Sequence, residues 1–153
     1  MVHAYQDPHA TLTLREGLAE YFASDPTLTD PDDCSPEGAE LFRRHDAVHI
    51  VFGTNRELEQ EAMTDAWTAF GTTAPWSVFR EYLAVPEVAA VFADIGVVTS
   101  VLGSIRATPS IWRVWRHSRR MREPWPFDGY AAHYDHRLCD LREQYGIELV
   151  RQP

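Results

Sequence analysis

Apolar residues recur at three- and four-residue spacings along most of this chain, which is the pattern of amphipathic helices. Between residues 11 and 23, one apolar side is formed by Leu14, Leu18, Tyr21 and Phe22. The sequence contains no clear β-rich section. The pattern therefore predicts an all-α fold, a single-domain helical bundle of about six or seven helices.

Two helices in the first half of the chain have clear start and stop signals. Ser-Pro-Glu at residues 35–37 offers an N-cap hydroxyl, a proline at the first helical position and an acid in the first turn. This helix should run to about Phe52 and end at Gly53. Thr-x-x-Glu at residues 54–57 predicts a capping box for a second helix that ends near Phe70. Because only two or three residues join the two helices, we expect an antiparallel hairpin.

The remaining helices are predicted from proline positions and apolar runs, at residues 75–84, 86–105, 110–121 and 135–145. Residues 108–109, a Thr-Pro pair, should start the third of these. Residues 1–10 are expected to form a flexible arm. The aromatic, proline-broken segment 123–134 is expected to form a lid or a loop that dips into a membrane.

Composition and charge narrow the class of protein. The chain has 153 residues, of which 44% are hydrophobic and 24% charged, so we expect one globular domain over residues 1–153. The net charge of -9 argues against general nucleic-acid binding. The first twelve residues lack the charged start and apolar run of a signal peptide. We expect a cytoplasmic protein, or one peripheral to the inner face of the membrane.

Two histidines and a glutamate have the spacing of a metal site. His45 and His49 are four residues apart, so on a helix they differ by only ~40° and lie one turn from each other. Glu61 follows on the next helix, and at ~1.5 Å per residue it returns to within about a turn of the level of His49. Two nitrogens and a carboxylate suit a divalent metal, with zinc expected first and iron, manganese or cobalt as alternatives. Otherwise the histidines would be core residues bonded to the backbone or to Asp46.

Asp46 has several possible roles. It follows His45 directly, so on a helix it points ~100° away from that imidazole. It could bind the ion from the side, orient an imidazole, or act as a base on metal-bound water.

The stretch HDAVHIVFGTNRELEQE, which begins at His45, resembles the signature of the Coq-four family of coenzyme Q (ubiquinone) biosynthesis proteins. That signature is His-Asp-x-x-His, eleven residues and then Glu, and here the eleven residues are 50–60. The tail WPFDGYAAHYDHRLCDLREQYGIEL is also similar to the family's ending, in which an arginine precedes Gly-Ile by three or four residues. The resemblance covers roughly Leu41 to Leu149.

The resemblance implies a ligand set and an activity. It implies that His45, Asp46, His49 and Glu61 hold the metal, and we expect Asp46 and Glu61 to be the catalytic groups. It also implies metal-dependent oxidative decarboxylation and hydroxylation of a polyprenyl-benzoate intermediate, together with a role in organising the other coenzyme Q biosynthesis proteins. On this reading helix 86–105 would sheathe the polyprenyl tail; otherwise it is simply a buried central helix.

A basic stretch with tryptophans follows that helix. Residues 106–122 contain six arginines, one histidine and no acid, and Trp112 and Trp115 alternate with the basic residues. Such a helix can rest on an anionic membrane surface or hold an acidic headgroup, for which Arg106, Arg113 and Arg116 are the candidates. Alternatively it is a solvated face paired with the chain's acids.

Three functions remain open from the sequence. The first is the decarboxylase and hydroxylase of ubiquinone biosynthesis. The second is a non-catalytic isoprenoid-binding or scaffold protein of the same fold with a structural metal, and the third is a soluble metallohydrolase. The expected partners are a polyprenyl-tailed quinone precursor or another isoprenoid lipid, a membrane surface, other coenzyme Q biosynthesis proteins and a second copy of the chain.

Overall fold

The fold is all-helical over the residues that the computed structural model describes, which are 3–24, 33–84 and 97–150. Residue 83 and residues 97–106 are described by their backbone alone. We name the six α-helices α1 (Leu14–Ser24), α2 (Pro36–Phe52), α3 (Leu58–Gly71), α4 (Val78–Ala84), α5 (Val97–Ser118) and α6 (Leu138–Tyr145). Short 3₁₀ helices occur at Ala4–Gln6 and Tyr130–His133. The predicted all-α class is confirmed, and within these residues extended pairing is limited to two isolated bridges.

α2 forms as its sequence predicts. The Ser35 hydroxyl accepts a hydrogen bond from the Gly38 N–H, and Pro36 occupies the first helical position. At the other end Gly53 adopts a left-handed conformation with φ 68°, which glycine enters without the steric cost of a side chain. The Gly53 and Thr54 N–H groups then close the helix by donating to the carbonyls of Ile50 and His49. The chain therefore turns back after Phe52 and enters α3.

α3 begins later than predicted. Its N-cap is Glu57 and its first residue is Leu58, so the expected capping box from Thr54 does not form. The physical reason is that the Thr54 hydroxyl is bonded elsewhere, to His49 and to Thr64. A helix cap is worth about 1 kcal/mol, and these two buried hydrogen bonds compete with it.

α5 is one continuous helix from Val97 to Ser118 and contains Pro109 within it. The predicted helix start at residues 108–109 is therefore wrong. Residues on both sides of the proline are buried: Ala107 and Val114 have no exposed surface, and Ser110 donates to Glu59 of α3 at 2.7 Å. This packing of α5 along α3 offsets the ~3 kcal/mol that a proline costs inside a helix. Of the predicted helix 86–105, residues 86–96 lie outside the described residues.

The segment before α1 is packed, in contrast to the flexible arm expected for residues 1–10. Tyr5 is completely buried and donates its hydroxyl to the Thr54 carbonyl at 3.1 Å. Ala10 is also buried, and its carbonyl accepts from the Cys139 N–H. Tyr5 is thus held against the turn between α2 and α3, and Ala10 against α6. Burial of the aromatic side chain compensates for the weak local preference of the segment.

The aromatic segment 123–134 is part of the core, and the expected lid or membrane-dipping loop is a wrong prediction. Trp125, Phe127 and Tyr130 are each at most 4% exposed. The Trp125 N–H and carbonyl pair with Gly71 and Thr73 at the end of α3. Prolines break the helix here, but the aromatic rings still find apolar partners.

No helix in the described ranges is both long enough and apolar enough to cross a membrane.

Candidate metal centre

The α2–α3 hairpin brings His45, His49 and Glu61 together. His45 Nε2 lies 2.9 Å from Glu61 Oε1, and His49 Nε2 lies 3.2 Å from Glu61 Oε2. The two Nε2 atoms are 3.1 Å apart. Three side chains from two helices thus point their ligand atoms at a single position. Within the described part of the chain, this is the group of histidine and carboxylate side chains that could hold a metal ion.

The separations between these ligand atoms suit a metal ion. Ligands bound at ~2.0–2.1 Å in tetrahedral or octahedral geometry lie roughly 2.9–3.4 Å from one another. The three observed separations, 2.9, 3.1 and 3.2 Å, fall in that interval. Two imidazole nitrogens and a carboxylate are also a ligand set that zinc and the other candidate metals accept. The residues therefore fit the ion that the spacing predicts.

The hydroxyls around His49 fix which of its nitrogens carries a proton. Thr64 donates its hydroxyl proton to the Gln60 carbonyl, so its oxygen can only accept from its other neighbours. Thr54 lies 2.6 Å from that oxygen and donates to it, so Thr54 can also only accept from His49. His49 Nδ1 lies 3.1 Å from the Thr54 oxygen and 3.0 Å from the Thr64 oxygen. It must therefore carry the proton, which leaves the Nε2 lone pair free to bind a metal.

The environment of His49 also keeps it neutral. The side chain is 1% exposed and the ring stacks on Tyr21, with 5.3 Å between ring centroids. Burial lowers the pKa of His49 and outweighs the attraction of Glu61. A neutral imidazole is the form that binds a metal.

His45 is the candidate ligand with the more polar surroundings, and its side chain is more exposed than that of His49. Burial alone would lower its pKa, but the Glu61 carboxylate, with smaller contributions from Asp65 and Asp46, raises the pKa above its ordinary value. Its Nε2 atom faces Glu61 Oε1 at 2.9 Å, across the place where a metal would lie. The other nitrogen, Nδ1, lies 3.1 Å from the Tyr82 hydroxyl of α4.

Glu61 is the side of the site that solvent can reach. Burial would raise its pKa, but the two histidines that it contacts hold the pKa well below its usual range. The carboxylate is therefore ionised and available as a ligand. Its side chain is 38% exposed, whereas those of His45 and His49 are 12% and 1% exposed.

Asp46 is close to the group but is not one of its members. It is 5% exposed and lies outside the set of ligand atoms that come within 4.8 Å of one another. Burial raises the pKa of Asp46 to about 7, against the opposing effect of His45. Its position agrees with the ~100° rotation between adjacent helical residues. Its expected role as a ligand or catalytic group stays a prediction.

The three arginines expected to hold a headgroup or a membrane lie on α5. Arg116 is exposed and its guanidinium lies over the Trp112 ring, 4.7 Å from the centroid. Arg113 is half-buried, and for Arg106 only the backbone is described. Their functional role stays a prediction.

Local sequence patterns do not identify three residues that contact the histidines: Thr54, Thr64 and Tyr82. Thr54 matches the pattern of a helix cap, so the sequence does not indicate that its hydroxyl bonds to His49. Thr64 lies one turn after Gln60 and near His49 only because the two helices form a hairpin. Tyr82 belongs to α4, whose position depends on its packing.

No family model, curated protein or solved structure matches this chain in the three comparisons with known proteins. The fold and site by themselves define an all-helical protein with a candidate two-histidine, one-glutamate metal centre on a helical hairpin.

Proposed function

We propose that this chain is a coenzyme Q biosynthesis protein. In this proposal it binds one divalent metal ion through His45 Nε2, His49 Nε2 and the Glu61 carboxylate, with zinc expected first. It acts in the oxidative decarboxylation and hydroxylation of a polyprenyl-benzoate intermediate: the ring loses its carboxylate as carbon dioxide and gains a hydroxyl, with molecular oxygen as the oxidant and the source of the added oxygen. The observation that supports the metal site is the convergence of these three side chains: the two Nε2 atoms lie 3.1 Å apart, and each lies within 3.2 Å of one of the two Glu61 carboxylate oxygens. The reaction rests on the resemblance of the motif that begins at His45 and ends at Glu61.

The ion would supply a Lewis acid for the negative charge that develops on the ring when a carboxylate is lost. The residues of the chain have separate tasks. His49 is held as a neutral ligand by Thr54 and Thr64. Glu61 stays ionised and partly accessible, so substrate can approach from its side. Asp46, buried beside His45, would orient an imidazole or serve as a general base.

The exposed tryptophans of α5 support contact with a lipid surface. Trp112 is 54% exposed and Trp115 is 45% exposed, and both lie beside basic residues. Exposed aromatic rings next to arginines favour an anionic interface, because the rings enter the headgroup region while the cations remain at its surface. Such contact would bring the metal centre near a membrane-held substrate.

One observation bears on the alternative with a structural metal. A structural ion has all its coordination positions filled by the protein, and its removal unfolds a small domain. The partial exposure of Glu61 favours a position that water or substrate can occupy. A soluble metallohydrolase would share this accessible position but would not bind an isoprenoid lipid.

The proposal is tested by native mass spectrometry with metal analysis of the chain purified from its own host. We expect one metal ion for each chain and a co-purified polyprenyl compound. His49→Ala should lose the metal, and His9→Ala, which alters an exposed histidine, should keep it. Unchanged metal content in His49→Ala would remove the basis of the site.

A second measurement addresses the reaction. The metal-loaded chain is incubated with a polyprenyl-hydroxybenzoate in its native host extract, and the products are analysed by mass. The proposal predicts loss of the mass of carbon dioxide and gain of oxygen, both abolished in Glu61→Gln. A metal-loaded chain that retains the lipid unchanged would instead indicate the scaffold function.

A further inference from the structure

α4 delivers to the metal centre a hydroxyl group that the hairpin does not provide. The Tyr82 hydroxyl lies 3.1 Å from His45 Nδ1, the nitrogen that faces away from Glu61. The two rings meet edge to face, with centroids 5.5 Å apart and an interplanar angle of 77°. His49 has its own hydroxyl neighbours, Thr54 and Thr64. Each imidazole thus has one nitrogen directed at the candidate ion position and the other beside a hydroxyl.

We propose that Tyr82 is a positioning residue of the metal centre: its phenolic oxygen accepts a hydrogen bond from His45 Nδ1–H and so leaves Nε2 as the metal-binding nitrogen. The inference rests on the proposed metal site and deepens it. The inference adds α4 to the metal centre, a helix that lies outside the motif that begins at His45 and ends at Glu61.

The direction of this hydrogen bond follows from the two nitrogens of the ring. A neutral imidazole has one N–H and one lone pair. If Tyr82 donated to Nδ1, the N–H would lie on Nε2 and would point at Glu61 and His49. That arrangement would leave His45 without a lone pair for the ion. The ring can bind a metal through Nε2 only when Tyr82 accepts.

Tyr82 is suited to accept because its phenolic oxygen lies 3.1 Å from His45 Nδ1. A phenol oxygen has lone pairs for an N–H donor and does not add a negative charge to the site. Hydrogen-bonded neighbours of this kind typically contribute 10–100-fold to metal affinity.

The core packing of α4 fixes the position of the hydroxyl. Val78 is 1% exposed and belongs to the hydrophobic core, and Phe79 packs against that core. Phe79 also contacts the Tyr82 ring, with 6.4 Å between centroids. Tyr82 therefore cannot leave His45 without disturbing apolar contacts of the same helix.

The first test compares zinc affinity in two variants by competition with a chromophoric chelator. Tyr82→Phe removes the oxygen and keeps the ring, and we expect a roughly 10–100-fold loss of affinity. Tyr134→Phe also removes a phenolic hydroxyl, but one that lies beside Tyr130 and outside the metal centre, and we expect a change of less than about threefold. Equal affinity of Tyr82→Phe and the unmodified chain would overturn the proposal, as would an equally large loss in Tyr134→Phe.

The second test needs no variant and reads the tautomer directly. In the zinc-loaded chain labelled with ¹⁵N-histidine, long-range ¹H–¹⁵N spectra should show His45 with a protonated Nδ1 and a metal-bound Nε2. A His45 that binds zinc through Nδ1 would contradict the proposal. Absence of zinc binding by the unmodified chain would overturn the metal site itself, so the two failures are distinguishable.

Discussion

At the scale of single residues, Arg142 shows how a remote side chain supports the metal centre. Its guanidinium donates to the carbonyls of Ile50 and Val51 at the end of α2, and to those of Tyr5 and Asp7. Burial lowers its pKa to about 10, so it remains protonated at neutral pH. Arg142 is also the arginine that stands four residues before Gly-Ile, in the tail that resembles the ending of the Coq-four family. It joins the N-terminal segment to the helix that carries both histidines.

Replacement of Arg142 should destabilise the fold strongly. In Arg142→Met several buried carbonyls lose their donors, and since each unsatisfied group costs about 1–3 kcal/mol, we expect a loss of about 3 kcal/mol or more in the free energy of unfolding. Urea titration followed by circular dichroism measures it. Arg137→Met is the control, because the Arg137–Asp140 pair is more than half exposed on both sides. An equal effect of the two substitutions would refute this account of Arg142.

Two threonines on α3 provide a matched pair for the hydroxyl network. Thr64 accepts from His49 and Thr54, whereas the buried Thr68 hydroxyl, one turn later, has no hydrogen-bond partner in the described residues. Thr64→Val should lower the free energy of unfolding by about 1–3 kcal/mol and weaken zinc binding. Thr68→Val should be neutral or stabilising. Thermal unfolding and zinc competition measure both, and a reversed order would count against the network.

His133 predicts a pH dependence that is separate from the metal centre. Burial, and then the proximity of His136, lowers its pKa in the folded chain. The unfolded chain has the higher pKa, ~6.5, so it binds more protons once the pH falls below about 7. Stability should therefore decrease as the pH falls through 6.5 towards the folded pKa.

Unfolding of the metal-free chain tests the direction of this pH dependence. Between pH 7 and pH 5, His133→Gln should lose less stability than the unmodified chain in urea titrations with a chelator present. Identical pH profiles for the two chains would show that His133 makes no such contribution.

At the scale of elements, the sequence locates α2 well because its signals are local. The signals from Ser35, Pro36 and Gly53 each act within one turn of a helix end, and the observed helix begins and ends at these residues. The same short range explains why the sequence predicts that His45, His49 and Glu61 meet, since one helical turn and a short connection relate them. α5 and the segment 123–134 were mispredicted because prolines give local signals that tertiary packing outweighs.

Pro109 tests the continuity of α5. Inside a helix a proline removes one hydrogen bond and clashes with the preceding turn. Pro109 is exposed, so Pro109→Ala should raise the free energy of unfolding by about 1–3 kcal/mol, and the measurement is urea unfolding. If the proline instead occupied the first position of a separate helix, alanine would be neutral or destabilising. That outcome would contradict the continuous helix.

At the scale of the whole molecule, distant segments meet around the hairpin. Tyr5 contacts the turn after α2, Arg142 of α6 binds the end of α2, and Tyr82 of α4 contacts His45. Such convergence cannot be predicted from periodicity, because it depends on how the helices pack. It would also make the candidate site rigid, which a centre that binds one ion in one geometry requires.

The most direct test of the account is a crystal structure of the zinc-loaded chain with anomalous data collected at the zinc edge. We predict one anomalous peak in the hairpin, bonded to His45 Nε2, His49 Nε2 and the Glu61 carboxylate at about 2.0–2.2 Å, with a further position open to solvent. A hairpin without a peak, or a peak held by other residues, would contradict the central claim.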